Sequence, residues 1–168
     1  TRVPDIAIDI RDLRVEVGGR CLLHVPSLTV QHGERVALVG PTGSGKSTFL
    51  KALAGIHDSE GEIELGGISL RKSPLAYRMK IGYAEAEPVF PDFLNLDDLI
   101  QVVAKAKKSP SGQIENLKEI FGVNNFSQFP LGSYSSGMLK KSALVLAFLG
   151  NPNLIILDEP FTTIDAAS

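Results

Sequence analysis

The chain holds a single cysteine, Cys21, in 168 residues, so no internal disulfide can form, and that fits a reducing compartment. Its neighbours Leu22 and Leu23 suggest a small buried apolar residue there. Long apolar runs are also missing: the longest, Ala143 to Leu149, is seven residues, against the roughly 20 needed to cross a bilayer. Any membrane role is therefore expected to come through a partner. Neither sign of charge dominates, with 17 Lys and Arg against 19 Asp and Glu for a net charge of −2. This excludes the basic stripe of a nucleic-acid binder, and no nucleic-acid partner is expected. A charged-then-apolar leader is missing and the first residue is Thr1, so the expectation is a trimmed chain and not a secreted one. With 43% hydrophobic and 21% charged residues the composition excludes a disordered or collagen-like chain. The length suits one domain of roughly 100 to 200 residues. Glycine is the one residue in modest excess, at 16, and where it falls is informative.

The first 40 residues read as strands. Ile6, Ile8 and Ile10 alternate, then Leu13, Val15 and Val17, and Gly18-Gly19 marks a turn into a stretch around Leu22 to Val30. Such short strands in close succession predict an antiparallel sheet. The run Val36-Ala37-Leu38-Val39 is apolar on successive residues, which predicts a parallel strand buried on both faces. Gly40 to Gly45 then breaks the chain before a helix over Lys46 to Ala54, with Gly55 placed to end it. Gly61 to Leu70 predicts a hairpin, and Ile81-Gly82-Tyr83 another short strand. Leu94 to Lys107 and Ile114 to Phe121 are helical in pattern around a Lys108 to Gly112 loop, so a helical subdomain is expected over about 88–138. Lys105, Lys107 and Lys108 suit a solvated helix end, and Phe121, Phe126 and Phe129 suit packing. An apolar helix from Ser136 to Leu149 and a second fully buried strand, Leu154 to Leu157, complete an α/β order of elements.

Gly40-Pro41-Thr42-Gly43-Ser44-Gly45-Lys46-Ser47 fits G-x-x-x-x-G-K-[ST] at every fixed position. Glycines let backbone N–H groups fold around an anion without a Cβ in the way, and the following helix, with Thr48 in its first turn, adds a partial positive charge. Lys46 would reach the β- and γ-phosphates, and the Ser47 hydroxyl would ligate Mg²⁺. The apolar run 154–157 ends in Asp158-Glu159. A carboxylate at the tip of such a strand can hold Mg²⁺, and the adjacent Glu159 can act as base toward an attacking water. An Asn-Lys-x-Asp guanine-reading motif is not found, since Asn116-Leu117-Lys118-Glu119 does not match it.

Between these motifs lies Tyr134-Ser135-Ser136-Gly137-Met138, directly before the helix that leads to Asp158. With it, the order of phosphate loop, IGY segment, helical stretch, YSSGM and LIILDEP resembles the ATP-binding cassette (ABC) family from about Val3 to Ala166. Its YSSGM is similar to the signature of polysaccharide and ABC-2-type export cassettes, where the commoner form is LSGGQ. The resemblance implies an α/β fold: a phosphate-loop NTPase with a mixed or parallel sheet core, an N-terminal antiparallel β-subdomain and an inserted helical subdomain. It implies ATP and Mg²⁺ as cofactors, Lys46 and Glu159 as catalytic residues, and Gly40 to Thr48 as nucleotide-binding. It further implies Ser47 and Asp158 at the metal and a head-to-tail dimer. There Ser135, Ser136, Gly137 and Met138 act on the phosphate held by a second cassette, and Asp165 of Thr162-Thr163-Ile164-Asp165 meets that partner. The other implied partner is a transmembrane permease subunit, with this chain peripheral on the cytoplasmic face of the inner or plasma membrane.

Three departures from the family pattern follow. Val17 stands where an aromatic residue usually stacks on adenine, which predicts poor discrimination between ATP and GTP. In Glu85-Ala86-Glu87, Ala86 stands where the family has a Gln near Mg²⁺, which leaves Glu85 or Glu87 as partial substitutes. The chain also ends ten residues after Asp158, and His24, His32 and His57 do not match the family's γ-phosphate histidine. The expectation is a single cassette domain over 1–168 lacking its C-terminal part, with hydrolysis by this piece alone impaired. Two other readings stay open: a soluble ABC ATPase, and a non-hydrolysing nucleotide-binding regulatory module.

Overall fold

The computed structural model describes residues 5–160, in two compact units, one up to Lys80 and one from Ile81 onward. In the first unit, β1 (Ile6–Val17), β2 (Arg20–Gln31), β3 (Glu60–Leu65) and β4 (Ile68–Ser69) form an antiparallel sheet in the order β2-β1-β3-β4. The two runs of alternating apolar residues are one strand. Their parity changes from Ile10 to Leu13 because the ladder to β3 slips between Arg11 and Arg14, where Asp12 takes φ +49°. This bulge restores Ile10, Leu13 and Val15 to the same buried face. His24 Nε2 lies 2.8 Å from Asp12 Oδ1 and Arg14 Nε donates to the same oxygen at 3.2 Å. These contacts hold the Asp12 carboxyl below its usual range, His24 contributing most and Arg14 next. Gly61 faces the bulge with φ +91°, and a Cβ there would stand 2.7 Å from the Arg11 carbonyl oxygen. Gly18 and Gly19, at φ +58° and +76°, make the two-residue turn that Val17 and Arg20 close.

Helix α1 (Lys46–Leu53) ends as expected at Gly55, φ +71°, with the Gly55 and Ile56 N–H groups donating back to Ala52 and Lys51. A six-residue helix, α2 (Pro74–Met79), is too short to leave a period in the sequence and starts on Pro74. Its buried Tyr77 donates from the hydroxyl to the Leu53 carbonyl at 2.7 Å.

The second unit holds β5 (Ile81–Ala84) and β6 (Leu154–Leu157), paired in parallel, together with α3 (Leu96–Ala106), α4 (Gln113–Ile120) and α5 (Ser136–Phe148). Asn95 caps α3 by accepting from Asp98 N at 2.8 Å. Leu96 and Ile100 of α3, Leu117 of α4, and Val145 and Leu149 form one apolar core, with Phe121 and Phe126 packed against it. Ala143, Leu144 and Ala147 of α5 pack with Ala84 in a second. Apolar residues on both sides of α5 thus serve two cores.

Five expectations need correction. Val36 to Val39 form no strand: within their unit no strand pairs with them, and Val36 and Val39 are 58% and 93% exposed. Burial on both faces needs neighbouring strands, and the sheet of that unit is made of β1 to β4 alone. Cys21 is exposed, because it lies near the turn on β2, the strand at the sheet edge. Lys107 is not solvated: its Nζ donates to the Ile81 carbonyl, and burial lowers its pKa below the usual lysine value. Phe129 is exposed, and in β6 only Ile156 is fully buried.

Candidate nucleotide site

Gly40 to Gly45 form a loop that leads directly into α1, whose N-cap is Gly45 at φ +93°, with Gly43 at φ +81°. No side chain caps that helix, so the first-turn N–H groups of Lys46, Ser47 and Thr48 have no intrahelical acceptor. Ser44 N closes the loop onto the Pro41 carbonyl at 3.2 Å. Lys46 folds back over it: Nζ donates to the Gly40 carbonyl at 2.6 Å, the Pro41 carbonyl at 2.9 Å and Ser44 Oγ at 3.4 Å. The ammonium and the open N–H groups therefore share one short loop, with Ser47 and Thr42 exposed. A polyanion is the ligand chemistry that answers such an arrangement. Val17 lies at the turn end of β1, 51% exposed.

Asp158, Glu159 and YSSGM belong to the second unit. Asp158 N extends the parallel ladder by donating to the Ala84 carbonyl at 3.0 Å. Its carboxylate is buried, and among the described residues Oδ2 has no hydrogen-bond partner. Gly82 and Ala84 face α5, so strand alternation puts Tyr83, Ile156 and Asp158 on the opposite face. The Tyr83 hydroxyl is likewise buried without a partner, and its pKa is raised, first by burial and then by the charges of Asp158 and Glu85. A buried carboxylate oxygen without a donor is costly to a folded chain, and a hard cation would satisfy it. Among the described residues no three His, Cys, Asp or Glu side chains gather as a metal cage. Mg²⁺ takes one or two protein oxygens and draws the rest from phosphate and water, and the Asp158 carboxylate could supply one such oxygen.

Glu159 adopts φ +45°, a conformation uncommon for a residue with a Cβ. Its carbonyl accepts from Lys140 Nζ at 3.0 Å. Lys140 is a buried cation that sequence reasoning passed over. The signal was there: a helix apolar on both sides leaves one of Lys140 and Lys141 facing inward. Ser135 is the N-cap of α5, accepting from Met138 N at 3.2 Å, while Met138 Sδ accepts from Ser135 N at 3.4 Å. Ser135 and Ser136 are exposed, Gly137 is half-buried, and Met138 packs on the core. Glu85 and Ala86 are half-buried after β5, Glu87 is exposed, and Asp165 lies outside the described residues.

A family model described as "ABC transporter" matches residues 23–162. The chain is 32% identical over 160 residues to the "Aliphatic sulfonates import ATP-binding protein SsuB 2" of Burkholderia cenocepacia, covering 95% of this chain and 58% of that protein. It is 29% identical over 168 residues to the "Nod factor export ATP-binding protein I" of Burkholderia lata, covering 97% and 55%. A solved "Structure of ATP binding subunit of ABC transporter" superposes with a TM-score of 0.85 at 30% identity, over 95% of this chain and 69% of the other. The chain thus spans little more than half the length of the two Burkholderia proteins.

Proposed function

The chain belongs to the ABC transporter family, and from that premise we propose that it is the ATP-binding part of a transporter, coupling ATP binding and hydrolysis to a separate membrane permease. The observation that carries this reading is the Gly40–Ser47 loop, where the Lys46 ammonium rests on two loop carbonyls beside unpaired helix N–H groups. An arriving triphosphate offers Lys46 stronger, charge-assisted acceptors than those carbonyls. The N–H groups of Gly43 to Thr48 receive the phosphate oxygens, and Val17 lies toward the base.

Mg²⁺, held by the Ser47 hydroxyl and the Asp158 carboxylate, would neutralise phosphate charge. Glu159 accepts the proton of the attacking water. Ser135 and Gly137 present a hydroxyl and an N–H at the start of α5 to the γ-phosphate of a second cassette, and Asp165 meets that cassette. Glu85 or Glu87 stands in part for the Gln replaced by Ala86. No helix among the described residues is long and apolar enough to cross a membrane; docking on a permease at the cytoplasmic membrane face rests on the family and on relatives named as ATP-binding proteins of import and export systems. The similar proteins are named for import and for export, so the direction and cargo belong to the permease. The YSSGM signature favours the ABC-2 export type.

The test is Mg²⁺-dependent ATP turnover by the complete natural protein, with Glu159→Gln beside it. The variant is expected to bind ATP, lose turnover and accumulate as an ATP-bound dimer. A wild type that neither binds nor hydrolyses ATP refutes the reading.

A further inference from the structure

Glu159 holds a left-handed backbone conformation although it is not glycine. For a residue with a Cβ that conformation is disfavoured, and it persists where the surroundings over-determine it. On one side the Asp158 N–H is pinned to Ala84. On the other, Pro160 has no N–H with which to tie down the turn. The Glu159 carbonyl is held by Lys140 Nζ at 3.0 Å.

Lys140 is 7% exposed, on a helix whose other buried positions are Ser142, Ala143, Leu144, Val145 and Ala147. A leucine or methionine would fill that space at no desolvation cost, whereas a buried ammonium is retained only with oxygen partners. One of those partners is a backbone oxygen, so the bond fixes a peptide plane and with it the direction in which the Glu159 side chain leaves the strand end. Lys140 also lies one helical turn from Ser136, so the helix that begins at the signature residues is the element that grips Glu159.

We propose that Lys140 is a positioning residue for ATP hydrolysis: its buried ammonium holds the Glu159 carbonyl and keeps Glu159 in its left-handed conformation. This rests on the reading of Glu159 as the base toward water. Misplacing such a group by about 1 Å can cost on the order of 100-fold in rate without weakening substrate binding.

The test compares Lys140→Met, Lys140→Gln and Lys140→Arg with wild type in the complete natural protein. ATP turnover, ATP affinity, melting temperature and backbone amide exchange over 157–160 are all measured. Lys140→Met is expected to lose roughly 100-fold in kcat, with KM and ATP affinity within about twofold of wild type. Amide exchange at Glu159 should speed up. Lys140→Gln, whose amide falls short of the carbonyl, should show the same pattern, so the outcome does not hang on one variant folding. Lys140→Arg, which keeps a charged donor, should recover most of the rate. Wild-type kcat in Lys140→Met overturns the proposal, as does an arginine variant no better than methionine, or loss of rate only in step with melting temperature. If wild type itself does not hydrolyse ATP, the role of Glu159 falls instead. Amide exchange then still decides whether Lys140 holds Glu159, and unchanged exchange in Lys140→Met overturns that.

Discussion

Gly82 of β5 lies against the carbonyl of Ala147 in α5 so closely that a Cβ on Gly82 would overlap that oxygen. Both groups are backbone, one in a strand and one in a helix, so neither can rotate away as a side chain would. This contact seats α5 on the β5–β6 ladder that carries Asp158 and Glu159. Gly82→Ala is therefore expected to cost about 3 kcal/mol, the upper part of the usual range for overpacking. Urea unfolding followed by circular dichroism measures it. A loss below about 1 kcal/mol would mean that the helix shifts to make room.

Tyr77 joins α2 to α1 through its hydroxyl on the Leu53 carbonyl. Burial raises its pKa above the ordinary tyrosine value of 10.0. The stabilisation is fully present below that value; as pH rises past it, the unfolded chain ionises first and stability falls. Tyr77→Phe should cost about 1 kcal/mol at neutral pH, the net value of one hydrogen bond. It should also flatten the alkaline loss of stability. Denaturant midpoints from pH 7 to pH 11, compared between the two proteins, read both effects.

Much of this architecture was legible because it rests on local chemistry. The parity change between Ile10 and Leu13 is the imprint of the Asp12 bulge, and Gly55 ends α1 through its positive φ. The glycine loop that leads into α1 was legible for the same reason, since Gly43 and Gly45 take the positive φ that glycine permits. Val36 to Val39 show the converse. Four apolar residues state what could be buried, while strand pairing depends on distant neighbours that no local pattern encodes. Lys140 was legible only in part: a helix apolar on both sides turns one of its two adjacent lysines inward, but only the fold brings the Glu159 carbonyl to it.

Lys46 makes its present bonds to neutral carbonyls of its own loop, and those are replaceable by water. Lys46→Ala should therefore leave the fold within about 0.5 kcal/mol of wild type, as for a surface change. The same substitution removes a charge-assisted bond to phosphate, each worth about 1.5–3 kcal/mol, so ATP affinity should fall roughly tenfold to hundredfold. Titration with a fluorescent ATP analogue checks the second value and thermal unfolding without nucleotide checks the first.

Val17 presents a half-exposed aliphatic side chain where the proposed base contact lies. An aliphatic group offers no flat π surface, so ATP and GTP should bind within tenfold of each other, with phosphate contacts supplying most of the affinity. Val17→Tyr adds a ring worth roughly 1–3 kcal/mol of stacking, and affinity for both nucleotides should rise about tenfold. Competition between the two nucleotides for one labelled probe measures both. A wild-type preference above tenfold would mean that another side chain reads the base.

Among the described residues the buried Asp158 carboxylate has no donor to Oδ2, an arrangement that burdens the protein when no cation is bound. Asparagine has nearly the same shape without the charge. Asp158→Asn should therefore stabilise the nucleotide-free protein by about 1 kcal/mol, the lower part of the penalty for an unsatisfied buried group. The gain should come with a loss, as at other sites where function opposes stability. In wild type, Mg²⁺ added with ATP should raise the melting temperature beyond ATP with a chelator, since a ligand that binds only the folded state stabilises it. In Asp158→Asn that difference should vanish. Differential scanning calorimetry with and without Mg²⁺ separates the two effects. A variant that is less stable in the absence of nucleotide, yet still responds to Mg²⁺, would show that the Asp158 carboxylate is structural and not a metal ligand.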